Sequence, residues 1–215
     1  MIKRFALTLL LCIFAGAGGV HAADYKEALI KAREGKYAAA LSDFKMLGTE
    51  GHAGAQFSAG LVYHLGRGVA KDLESAYTWY KKAALQKHPG ALNNIGMMYL
   101  NGEYVAQNQE MAFKLFEMAS PEHAQARDNM AQMYENGWWV DQDIELAKNF
   151  YEIAGDDGYI IGWHHLGQLY EKDYPDEPKD LDMAVEWYTK AAQLNYTPSR
   201  TRLAIMGRLP PELAQ

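Results

Sequence analysis

The sequence predicts an all-α protein, a right-handed α-solenoid of antiparallel helix pairs. Three observations carry the prediction. Tyr63, Tyr99, Tyr134 and Tyr170 recur at separations of 36, 35 and 36 residues, and four further columns keep the same register. Within each repeat, small and aromatic residues stand three, four and seven apart, which places them on one helical face. A good N-cap residue also stands at the same place in every repeat.

The elements follow in order along the chain. Residues 1–22 read as a secretory signal peptide: Lys3 and Arg4 are basic, Phe5 to Ala15 is apolar, and Val20-His21-Ala22 suits a signal peptidase. The apolar stretch is shorter than the roughly 20 residues needed to cross a bilayer, and no later stretch approaches that length. Export across the inner membrane to the periplasm is therefore expected, with no transmembrane segment in the mature chain. Cleavage would remove Cys12, the only cysteine, so no disulfide framework or cysteine-based zinc site can form.

Residues 23–50 predict a capping helix pair, with Ala28, Ala32 and Tyr37 followed by Ala40, Leu41 and Phe44. Four repeats fill 51–194, at about 51–88, 89–120, 121–157 and 158–194. In the first, one helix runs from about Ala53 to Leu65 and the second from about Leu73 to Leu85. Gly60, Gly96, Ala131 and Gly167 precede the tyrosines by three residues. Ala76, Ala112, Ala147 and Ala184 form a second small column, where paired helices approach closely. Tyr80, Phe116, Tyr151 and Tyr188 form the aromatic column, and Ala83, Ala119, Ala154 and Ala191 the last one.

Asp72, Asn108, Asp143 and Asp180 are the expected N-caps of the second helices. Glu74, Glu110, Glu145 and Asp182 follow them, where negative charge suits the helix dipole. Gly66, Gly102 and Gly137 supply left-handed turn residues after the first helices. The fourth repeat has Asp173 there and one extra residue, so its turn should differ. Residues 195–215 predict a C-terminal capping helix from Thr197 to about Met206, then a frayed tail.

The motif Gly66-Arg67-Gly68-Val69, with Ala55, Gly60, Tyr63, Asp72, Ala76 and Trp79-Tyr80-Lys81-Lys82-Ala83-Ala84, resembles the SEL-like repeats, a branch of the tetratricopeptide-type solenoids. Trp187-Tyr188-Thr189-Lys190-Ala191-Ala192 repeats its last stretch. The likeness covers roughly 51–194. Departures are Ala131 for glycine, Trp139 for the second turn glycine, Ser120 and Gly155 at the ends of second helices, and the fourth turn. The resemblance implies a non-enzymatic interaction scaffold, often of bacterial envelopes, binding a protein or peptide and in one variant serving as a regulator or immunity-type protein.

The chemistry-bearing motifs are few. A net charge of −6 argues against a nucleic-acid partner. No nucleotide loop, nucleophile elbow or zinc-protease pair is present, and no cofactor is implied. Ser42-Asp43-Phe44-Lys45 matches the S-x-x-K start of penicillin-binding proteins, so a serine hydrolase acting through Ser42 and Lys45 is the alternative. It lacks a K-T-G partner, and an exposed helix face is the preferred reading. The six histidines beyond the leader are read as surface or groove residues rather than metal ligands, since adjacent His164 and His165 diverge by about 100° on a helix.

By analogy with tetratricopeptide arrays, the first helices should line a concave groove. Its outward positions would include Phe57 and His64, then Asn93, Asn94 and Met97, then Asp128 and Asn129, then His164 and His165. Asn94 and Asn129 hold equivalent positions and could clamp a peptide backbone. Trp138 and Trp139, in the third turn, are either a partner contact or local packing.

Overall fold

A computed structural model describes residues 14–213 of the chain, with the side chains of 24–213. Within these bounds there are eleven α-helices and one 3₁₀ turn, and no strand. The helices are α1 (Phe14–Arg33), α2 (Tyr37–Thr49), α3 (Ala53–Leu65), α4 (Leu73–Leu85), α5 (Pro89–Asn101) and α6 (Gln109–Ala119). They continue as α7 (Ala124–Asn136), α8 (Ile144–Asp156), α9 (Ile161–Tyr170), α10 (Leu181–Gln193) and α11 (Thr197–Ile205). The signal peptide expected at 1–22 lies mostly outside the described residues.

The second-helix starts follow from local chemistry. The side chains of Asp72, Asn108 and Asp143 each accept from the backbone N–H three residues on, at 2.8–3.0 Å, and Asp180 accepts from both Asp182 and Met183. One further bond ties each cap to the preceding helix. The backbone N–H groups of Asp72, Asn108, Asp143 and Asp180 donate to the carbonyls of Tyr63, Tyr99, Tyr134 and Tyr170, at 2.8–3.0 Å. The repeat tyrosine therefore marks where the two helices of a pair are stitched together. In the fourth repeat the same stitch spans ten residues rather than nine. There Tyr174 and Glu177 exchange backbone bonds, and α9 ends at Tyr170 with a right-handed cap, Glu171.

The chain forms two compact units. The first holds α1–α4, α5 as far as Met98, and the turn Gly102–Ala106. Its core is Ala28, Ala40, Leu41, Phe44, Leu47, Ala55, Ala59, Val62 and Trp79, built where α1, α2 and α3 pack in order. In the α3–α4 pair, a Cβ built on Gly60 would lie 2.5 Å from the Tyr80 ring, and Tyr80 is fully buried. The small column thus exists because the aromatic column of the partner helix occupies its side-chain space.

The second unit holds Tyr99–Asn101 and Gln107–Gln215. Helices α6 to α11 pack consecutively there. Gly167 repeats the Gly60 arrangement against Tyr188, at 2.7 Å. Gly155, a departure in the repeat pattern, makes room for Trp163, whose ring would lie 2.1 Å from a Cβ. The Trp163 indole N–H then donates to Asp156 at 3.0 Å, and Lys190 sits over the ring at 4.2 Å. The end of this unit corrects the expectation of a frayed tail. Leu209 and Leu213 pack against the cluster of Ala184, Tyr188, Ala192 and Leu203, and Arg200 holds the Leu213 carbonyl. Partial burial of two leucines and one charge-assisted bond oppose the chain entropy of this short segment.

Candidate functional site

The structure distributes the expected groove residues unequally. In the first unit Phe57, on α3, is half-buried and stacks on His88 with ring centroids 4.6 Å apart. His64 bridges Tyr80, at 3.3 Å, and Glu103, at 3.1 Å. Lys71 donates to the other Glu103 oxygen at 3.0 Å, and that bond holds the Glu103 carboxyl below the usual carboxylate range. On α5, Asn94 and Met97 are half-buried, but Asn93 is fully buried and donates to Asn94.

Asn93 is thus not an outward position, and the second unit shows the same correction. Asp128 and Asn129 are 1% and 5% exposed. The Asp128 carboxylate is covered by His165, whose Nδ1 lies 2.8 Å away, and by the Gln132 amide at 2.9 Å. A helical wheel assigns these residues to the α7 face; burial comes from the side chains of α9 that close over it. Asn129 therefore cannot clamp a passing peptide as it stands.

What reaches the surface is a shell of polar side chains held in place from beneath. Glu135 on α7 is almost buried and accepts from Tyr151 at 2.7 Å, from Lys172 at 2.5 Å and from Tyr174 at 3.0 Å. Burial, with the Glu135 charge added, raises the hydroxyl pKa of both tyrosines, so they remain protonated donors. On α9, Glu171 is clamped by the Arg202 guanidinium of α11, with one bond at 2.7 Å, which pulls its carboxyl pKa down. His164 meets the Ser199 hydroxyl at 2.9 Å, while His165 turns the other way to Asp128. Burial, then the neighbouring His165, lowers the His164 pKa to about 4, so it is neutral at pH 7. Gln168 stands exposed between these pairs.

The two tryptophans separate. Trp138 is half-buried, and Trp139 is 54% exposed. Trp139 has φ +67°, a left-handed conformation that bulky residues rarely take. The equivalent residues are Gly68, at φ +72°, and Tyr104, at φ +67°. Trp139 edges a shallow depression of about 380 Å³ with Gln107, Asn108, Gln109 and Glu110.

Sequence reasoning missed the part played by the boundary histidines. The Nδ1 atoms of His52 and His88 accept from the backbone N–H groups of Ala55 and Ala91, capping α3 and α5. His123 holds the same position before α7 without that bond, and burial pushes its pKa down. Their recurrence one residue before three of the four first helices was the available signal. Among the described residues, no three His, Cys, Asp or Glu side chains converge as a metal site would require. Ser42 and Lys45 are both exposed on α2.

Comparison with known proteins agrees with this architecture. The Sel1 repeat matches residues 53–88, 89–120, 124–159 and 164–196, well over half of the chain. The chain belongs to the Sel1 repeat family. Its members are in general protein-interaction scaffolds rather than enzymes. No curated protein matches the chain. Among solved structures, it is similar to a Sel1 repeat protein from Oxalobacter formigenes, at 24% identity and a TM-score of 0.76, over 95% of this chain and 87% of that one. It is also similar to the immunity protein Pa5087 from Pseudomonas aeruginosa, at 21% identity and a TM-score of 0.61, over 90% and 74% of the two chains. A second immunity protein of that organism, PA5088, is similar at 18% identity and a TM-score of 0.59, over 84% and 67%. These likenesses concern the fold. Among the described residues, no helix of this Sel1 repeat protein is long and apolar enough to cross a membrane.

Proposed function

We propose that this Sel1 repeat protein is an exported, periplasmic adaptor that binds a protein or peptide partner and regulates it, in the manner of an immunity-type protein. The observation that carries the reading is the fixed polar face of α7 and α9. Asp128 and Glu135 pin His165 and Lys172, and Arg202 pins Glu171, around exposed Gln168. Holding a long side chain still costs about 0.5–1.5 kcal/mol at an interface. Here much of that ordering is already present in the free protein. Trp139 adds an exposed aromatic of the type that dominates interface energetics.

The periplasmic setting is supported by the basic, apolar and small-residue order of 1–22. The regulatory role is supported by the shared fold with two immunity proteins. The acidic balance of the chain favours a basic or neutral partner and disfavours nucleic acid. A protein partner captured from the envelope fraction with the full chain, then purified, should bind the Trp139→Ala/Gln168→Ala variant at least tenfold more weakly. Equal affinity for both proteins would remove this face from the interaction.

A further inference from the structure

The first unit contains an apolar cleft whose only charged lining residues are cationic. It lies where α1, α2 and α3 meet, has a volume of about 240 Å³, and is walled by Leu29, Phe44, Leu61 and Leu65. Arg33, near the end of α1, and Arg67, in the turn after α3, stand at its edge. Arg67 is steered there by the Tyr37 ring, which its guanidinium overlies at 5.6 Å. The turn is drawn tight against α2, since a Cβ on Gly68 would lie 2.8 Å from the Cβ of Tyr37.

The charge is unusual for this chain, which carries a net −6. Three carboxylates on or next to α1 and α2 pair with lysines: Glu27 and Asp43 with Lys31, and Glu34 with Lys36. Among the described residues neither Arg33 nor Arg67 enters an ion pair, and both are exposed. Two guanidinium forks from different elements thus border one apolar hollow. The hollow is below the roughly 300–1,000 Å³ of sites for drug-sized ligands, which suits a single large side chain. Guanidinium groups match carboxylates in a two-bond geometry.

We propose that this cleft docks an extended acidic segment of a protein partner, with one aromatic or large aliphatic side chain in the hollow and Asp or Glu side chains on either flank held by Arg33 and Arg67. The proposal rests on the scaffold reading and gives the partner chemistry at the N-terminal end. It adds a local exception to the partner preference set by the overall acidity.

The test uses the full chain and a fluorescein-labelled heptapeptide, Gly-Asp-Asp-Phe-Asp-Asp-Gly, blocked at both ends and followed by fluorescence anisotropy to roughly 1 mM protein. Saturable binding is expected. It should weaken at least about tenfold with Asn for every Asp, with Ala for Phe, and in the Arg33→Ala/Arg67→Ala variant, and it should fall as salt is raised. Both arginines are exposed, so the variant should keep the wild-type circular dichroism and melting temperature. No binding by the wild type, equal binding of the Asn peptide, or equal binding by the folded double variant would each overturn the proposal. If the peptide fails while the α9 face still contacts a partner, only the cleft assignment falls. If the peptide binds while that face contacts nothing, the scaffold reading of the second unit falls instead.

Discussion

Gly60→Ala sets two known effects against each other, and the structure decides between them. Glycine inside a helix is disfavoured relative to alanine by about 1 kcal/mol, so propensity alone predicts a more stable protein. The new methyl, however, would lie 2.5 and 2.7 Å from two Tyr80 ring carbons and 3.1 Å from the Ala76 carbonyl oxygen. Tyr80 is fully buried and cannot swing aside. Overpacking of this kind costs about 1–3 kcal/mol. The net expectation is a loss of up to about 2 kcal/mol, or up to about 8 °C in melting temperature for a chain of this size. Ala131 occupies the same column in the third repeat and is fully buried there beside Tyr151. Ala131→Gly should therefore also destabilise, by about 1–2 kcal/mol from propensity and a lost methyl. Urea titration by circular dichroism measures both changes, and hydrogen exchange should place the Gly60 loss in α3 and α4. A Gly60→Ala protein that is more stable than wild type would refute the claim that the column is set by ring packing.

Three further outcomes follow from named contacts. His164 is neutral in the fold with its pKa near 4, against about 6.5 when unfolded, so the unfolded chain binds the extra proton between those values. Stability should be full above pH 6.5 and decline as pH falls toward 4, by about 2 kcal/mol after allowance for partial exposure, and His164→Gln should flatten that slope in melts at several pH values. Asp143→Ala removes the acceptor for the Leu146 N–H and should cost about 1 kcal/mol, with faster amide exchange at the start of α8. Trp139→Gly relieves a left-handed strain of about 1–2 kcal/mol while giving up the limited contacts of an exposed ring, so chemical denaturation should find stability within about 1 kcal/mol of wild type.

The sequence was most informative where structure is made by neighbours along the chain. Asp72, Asn108, Asp143 and Asp180 could be named as caps because a short oxygen-bearing side chain before a periodic helix has few other uses. Gly66, Gly102 and Gly137 could be named as left-handed turns for a similar reason, and all three have φ between +64° and +68°. The face of a first helix was harder to read. Asn93, Asp128 and Asn129 look solvent-facing on an isolated wheel, and only the packing of other side chains, such as His165 over Asp128, buries them. Histidine as a cap at positions 52 and 88 went unseen because its ring nitrogen replaces the usual oxygen. The docked tail depended on Leu209 and Leu213 finding the cluster around Tyr188 and Leu203, a contact that no local pattern announces.

The central functional claim is that partners meet the first-helix face and not the backs of the second helices. A photo-activated cross-linking residue at Gln168, exposed on α9, and another at Glu152, exposed on α8, separate the two surfaces in the cell that makes the protein. The account predicts a discrete heavier adduct from position 168 and none from 152. An adduct from 152 alone, or equal adducts from both, would contradict it.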